Sequence, residues 1–164
     1  MRFYKVKNMR DDVESVFRHE KGFGSKKSAK RHLCETGLFG ENLPDEEIEI
    51  AEIEEESYTE FLLEKIAVLF AEQLDELKRH FTELSFEDMS VDEIARECYR
   101  FDIMSNLKFV LEDAAASYFE YKALEQWLAH PDKLVERLCD RVFNRDCSDE
   151  NFALYDMINM GWEA

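Results

Sequence analysis

Glycine and proline are scarce, five and two residues in a chain of 164. A β-sandwich needs many tight turns, so this scarcity disfavours one and favours helices joined by short loops. Long apolar runs are also missing, and the longest, Ile66 to Ala71, is far below the ~18 residues of a membrane span. No apolar segment lies within Met1–Met9, so a secretory leader is not expected. The four cysteines, Cys34, Cys98, Cys139 and Cys147, form no CxxC pair. Reduced, partly buried thiols in a soluble cytoplasmic protein are expected in place of a disulfide framework.

The short motifs of catalysis and phosphate binding are absent too. There is no HExxH, GxSxG, GxGxxG or GxxxxGK[ST]. The histidines His19, His32, His80 and His130 have no partner at the i+4 spacing that sets two imidazoles on one helix face, and Cys139 and Cys147 match no zinc spacing. Asp140 to Glu150 is rich in oxygen ligands but lacks the glycine and the 1-3-5 acidic register of a calcium loop. The expectation is a protein that is not an enzyme and takes no metal or cofactor.

What the chain does have is charge. Lys and Arg number 21 against 38 Asp and Glu, a net of −17, so natural partners are basic surfaces, and nucleic acid and anionic membranes are repelled. The charge is segregated: residues 1–33 hold ten Lys or Arg and four acids, a balance of +6, and the remainder carries −23. From Glu35 to Glu64 there are twelve carboxylates and no Lys or Arg.

Thirteen Phe and 45% hydrophobic residues supply a core. Arg2 to Val6 and Val13 to Glu20 read as a hairpin around a turn at Asn8 to Asp12. Ser25 reads as an N-cap for a helix over Lys26 to Glu35 with Ala29 and Leu33 on its apolar face, closed by Gly37. Residues 47–54 alternate at period two as Glu47-Ile48-Glu49-Ile50, but Ile53 falls on the opposite face. The segment is a strand that ends or bulges at Ala51, or it is already helical; the strand completes a ββαβ module.

From Ser57 the period is helical, with Leu62, Ile66, Leu69, Phe70, Leu74, Leu77 and Phe81 forming one stripe. Ser90 and Glu93 form a capping box for a helix that faces the core with Ile94, Cys98 and Phe101. A third helix, continuous or broken, runs from about Ile103 to His130, through Leu107, Leu111, Ala115, Tyr118, Leu124, Trp127 and Leu128. Pro131 opens a fourth, reaching Phe143, and Ser148 or Asp149 caps a last one through Phe152, Tyr155 and Ile158 to Gly161. The predicted fold is α+β and helix-dominated, a small N-terminal ββαβ module over residues 1–56 followed by about five packed helices over 57–164, or one compact unit.

Two charged constellations bear on function. Lys21, Lys26, Lys27, Lys30 and Arg31 cluster at a turn and along a helix, the footprint of phosphate binding. The Lys21-Gly22-Phe23 turn ahead of a Lys-rich helix resembles the hairpin-plus-helix modules of phage integrase arm-type DNA-binding domains, and implies DNA contact through those cations. The other reading is a solvated helix that pairs with the acidic half of its own chain.

The second constellation is Glu46, Glu47, Glu49, Glu52, Glu54, Glu55, Glu56, Glu60 and Glu64. These carboxylates are interleaved with Ile48, Ile50, Ile53, Tyr58, Phe61 and Leu62, so they belong to an ordered surface and not to a disordered tail. Such a row imitates a phosphate backbone and suits the nucleic-acid groove of a basic protein, with Glu72, Asp75, Glu76, Glu83, Glu87 and Asp88 as its extension. The functional expectation is a non-enzymatic inhibitor of a nucleic-acid-binding protein, antirestriction- or anti-CRISPR-like, of phage or mobile-element type. The alternatives are a nucleic-acid-binding module using the basic segment and a helical adaptor that dimerises.

Overall fold

A computed structural model describes residues 1–36, 47–113, 115–143 and 158–162, without the side chains of residue 113 and of 139–143. It is a helix-dominated α+β fold, an N-terminal antiparallel sheet followed by helices. Two compact units divide it, Met1–Phe61 and Leu62–Ala164. Gly37, the Gly40 to Pro44 loop, Glu46, Cys147 and the cap and first residues of the last helix lie outside the described residues.

In the first unit, β1 (Arg2–Asn8) lies between β2 (Glu14–His19) and β3 (Ile48–Ile53), antiparallel to both. The β1–β2 turn is held by Asn8, whose Oδ1 accepts from Arg10 N, and by Asp12 at φ 59°, a left-handed conformation that aspartate tolerates. Helix α1 (Lys26–Glu35) starts at Ser25, whose Oγ accepts from Ser28 N at 3.2 Å while Ser28 Oγ accepts from Ser25 N.

Residues directly opposite in an antiparallel ladder share a face. Tyr4, Val6 and Asn8 therefore stand with Phe17, Ile48 and Ile50, and this face packs Tyr4, Val6, Phe17 and Ile48 with Leu33 of α1. The opposite face carries Phe3, Lys5, Lys7, Ala51 and Ile53, where the Phe3 ring meets Tyr58 at 4.8 Å. Both faces are thus covered, and the strand alternates without a break: Ile53 joins Phe3 because there is a second apolar partner there. The phase slip at Ala51 marks this double coverage and neither an end nor a bulge.

Helix α2 (Glu55–Glu83) begins two residues before the expected Ser57. In the second unit it buries Leu62, Ile66, Phe70 and Leu74, with Leu69, Leu77 and Phe81 half-buried. Helix α3 (Val91–Asp113) opens on the Ser90–Glu93 box and runs through Phe101 and Ile103 without interruption, since nothing there breaks a helix. The separation of a second and a third helix at that point is corrected. Of the two forms expected for the helix from Ile103 to His130 the broken one is found, since residues 115–120 lie outside α-helix where tertiary packing outweighs propensity: Ala116 and Phe119 are buried, whereas Ala115 and Tyr118, expected in the core, are exposed. Cys98, also assigned to the core, is exposed.

Helix α4 (Tyr121–Leu128) and helix α5 (Leu134–Phe143) flank a 3-10 turn that starts at Pro131. Trp127 is buried and donates its Nε1–H to Ile158 O at 2.9 Å, tying residues 158–162 to α4. Gln73 of α2 holds the α4–α5 junction: its amide donates to Pro131 O and its Oε1 accepts from Val135 N at 3.1 Å.

Two predictions follow from these contacts. Gln73→Ala strands a carbonyl and an N–H in a part-buried site, so urea denaturation should show a loss of about 1–3 kcal/mol; no change would mean that water replaces the amide. The second concerns Glu93, whose carboxyl is held below the ordinary glutamate value by hydrogen bonds from Ser90 Oγ–H and then Ser90 N–H. A depressed folded pKa stabilises the fold above the unfolded carboxylate pKa, and the benefit is lost as pH falls through the folded value. Ser90→Ala should move the Glu93 titration, followed by carboxyl-carbon NMR, upward toward that of an ordinary glutamate, and an unmoved titration would contradict the assignment.

Candidate functional site: an acidic surface on β3 and α2

The surface is positioned by the pairing of β3 with β1 and by the start of α2. Ile48 is buried and Ile50 half-buried on the α1 face, which turns Glu49 to the opposite face, where it is exposed, and Glu52, next along the α1 face, is exposed as well. One turn into α2, Tyr58 and Thr59 are buried and Thr59 Oγ1 donates to Glu55 O at 2.8 Å, so Glu54, Glu55, Glu56 and Glu60 point away from the core. Glu64 is exposed on the same helix. Glu55 and Glu56 lie in the first turn, where the helix dipole favours an anion.

The carboxylates on the strand are partly neutralised, and by cations other than those of α1. Glu47 Oε1 accepts from Arg10 at 3.2 Å and Glu52 Oε2 from Arg2 at 3.2 Å. The second oxygen of Glu47 is shielded and has no partner among the described residues. Lys5 and Lys7 of β1 are bound by the hairpin itself, Lys5 to Glu14 at 2.7 Å and Lys7 to Asp12 at 2.6 Å. The Asp12 hydrogen bond and charge raise the Lys7 pKa above the ordinary lysine value.

Glu49, Glu54, Glu55, Glu56, Glu60 and Glu64 make no ion pair among the described residues. Beyond Glu64 the row is diluted. Glu72, Asp75, Glu76, Glu83, Glu87 and Asp88 are exposed, but Lys65, Lys78 and Arg79 stand among them and Lys78 contacts Asp75 at 3.7 Å.

The basic constellation is a separate surface. Lys21, Lys26, Lys27 and Arg31 are exposed and make no ion pair among the described residues, while Lys30 is half-buried on α1. The first turn of α1 holds Lys26 and Lys27 and no acid, the charge sign that a helix N-terminus disfavours. Among the described residues, Lys21, Lys26, Lys27 and Arg31 are thus not ion-paired with the acidic stretch, the pairing that one of the two readings of these cations expects.

One constellation escaped the sequence. His19 of β2 and His32 of α1, thirteen positions apart, meet edge to face at 5.2 Å beside Phe23, and His19 Nδ1 is shielded without a partner among the described residues. The signal was there in principle: His19 shares the sheet face of Phe17, and His32 precedes the buried Leu33. Among the described residues no group of three or more His, Cys, Asp or Glu could hold a metal ion, and no helix is long and apolar enough to cross a membrane.

No family model, no curated protein and no solved structure matches the chain. The acidic surface must be interpreted from its own chemistry.

Glu56, Glu60 and Glu64 follow at i+4, roughly 5–6 Å apart at Cβ, where like charges cost ~0.2–0.5 kcal/mol per pair. Glu60→Gln removes two such repulsions. It should raise stability in low salt by about half a kcal/mol, an increment that 1 M salt, at a Debye length of roughly 3 Å, erases. A loss of stability would show that Glu60 has a stabilising partner.

Proposed function

We propose that this chain is a non-enzymatic acidic protein that occupies the basic nucleic-acid groove of another protein and inhibits it. In this reading it is antirestriction- or anti-CRISPR-like, of phage or mobile-element type. The observation that supports the reading is the row Glu54, Glu55, Glu56, Glu60 and Glu64. It is exposed and without cation partners among the described residues, on a helix whose other side is buried. Unpaired like charges oppose folding, and their gain lies in association, where they steer a basic partner and give fast, salt-sensitive binding.

The quadruple variant Glu54→Lys, Glu55→Lys, Glu56→Lys, Glu60→Lys should keep its circular dichroism and lose binding to a basic partner captured from lysate in low salt. Unchanged affinity would rule the proposal out. The captured partner should leave at high salt and, once identified, should release nucleic acid when this chain is added.

The exposed cations Lys21, Lys26, Lys27 and Arg31 support a second reading, direct nucleic-acid binding through the turn and α1. Gel-shift titration in low salt separates the two, because the inhibitor reading expects no retained DNA or RNA.

A further inference from the structure

We infer that the outer edge of β3 is a docking site for an extended, Lys- or Arg-rich segment of the partner, which adds to the sheet as a fourth strand. The inference rests on the reading that the partner is basic, and deepens it by naming the backbone contact.

Hydrogen bonds at the sheet's end fix which groups point outward. Met9 N donates to Glu47 O at 2.7 Å, and Asn8 N donates in the other direction, to Val13 O at 2.9 Å. In an antiparallel ladder, bonded and non-bonded pairs alternate. With Asn8 opposite Ile48, the residues of β3 that exchange bonds with β1 are Glu49, Ala51 and Ile53. Ile48, Ile50 and Glu52 therefore turn their N–H and C=O groups to the outer side.

The strand order β2-β1-β3 leaves that side open, and no described residue pairs with it. Glu49, Ala51 and Glu52 are exposed. Backbone groups at a free edge need partners, and an edge of this kind is a template for another strand.

Charge selects the occupant. A second copy of β3 would bring Glu49 and Glu52 of both strands close together across the new ladder, so like charge disfavours self-pairing of this edge. A strand with alternating Lys or Arg would set its cations on one face of the sheet, against Glu52 with Glu54 at the end in one phase, or against Glu49 in the other. Glu52 is held by Arg2 in an exposed pair, which exchanges readily. The other edge differs: on β2, Glu14 is already bound by Lys5 and Lys7, and Arg18 follows. Recognition would thus combine main-chain hydrogen bonds for orientation with charge for selection.

The test uses the full chain and a synthetic octapeptide of alternating Lys and Val. Its control is the same peptide methylated on every second backbone nitrogen, in either phase, at unchanged charge. By calorimetry the parent peptide should bind at least about tenfold tighter than its methylated forms. It should also slow hydrogen exchange at the Ile48, Ile50 and Glu52 amides. Glu52→Pro, which deletes an outward N–H, should weaken binding more than Glu52→Gln, which deletes only the charge. Equal affinity of the peptides, unslowed exchange at those amides, or no binding by any peptide overturns edge docking. Equal affinity that still falls with salt would leave the acidic-surface reading standing.

Discussion

The ladder between β1 and β3 is the constraint on which the arrangement of charge depends. Val6, fully buried at the middle of the sheet, lies opposite Ile50, and Asn8 opposite Ile48. Burying those two isoleucines against α1 turns Glu49 to the other face of the sheet, where it is exposed, since side chains of a strand alternate. The acidic stretch is ordered because its apolar half is needed inside. If the register slipped by one residue, the carboxylates would enter the core and the isoleucines would leave it.

From this ladder the electrostatics follow. β1 supplies the cations nearest to β3, so Arg2 reaches Glu52 and, past its end, Arg10 reaches Glu47. Lys5 and Lys7 are drawn to the other side by Glu14 and Asp12. Nothing of this kind serves the first turns of α2, and its carboxylates stay unneutralised among the described residues. Lys26, Lys27 and Arg31 of α1 make no ion pair with them among the described residues. The chain thus presents one anionic and one cationic surface, neither cancelled by the other among the described residues. Stability alone does not favour that segregation.

Much of the fold was legible because its local signals agree. The hairpin, the Ser25 cap, α1, β3 and the long stripe of α2 each combine a clear period with a boundary residue, and the helix-dominated α+β architecture follows from them. The misreadings share a cause, contacts distant in sequence. Ile53 was read as a slip because the Phe3–Tyr58 face that receives it cannot be seen in the strand itself. Helix α3 was divided at Asp102 with no breaker present, and the break that the sequence left open between Ile103 and His130 falls at residues 115–120, where Ala116 and Phe119 are buried. Gln73, which holds the α4–α5 junction, has no local signature. At the acidic site, the residues were readable as a set, but their partners were not: Arg2 and Arg10, rather than the nearer-seeming α1 lysines, emerge only from strand order.

The central claim is that the carboxylates from Glu49 to Glu64 form the surface that meets a cationic partner. Titration of the isotope-labelled chain with a short oligolysine, followed by amide NMR shifts, tests it most directly. The account predicts the largest shifts at Glu49, Glu54 to Glu56 and Glu60, abolished by high salt. Shifts spread evenly over the acids of α3 and α5, or absent from β3 and the start of α2, would contradict it.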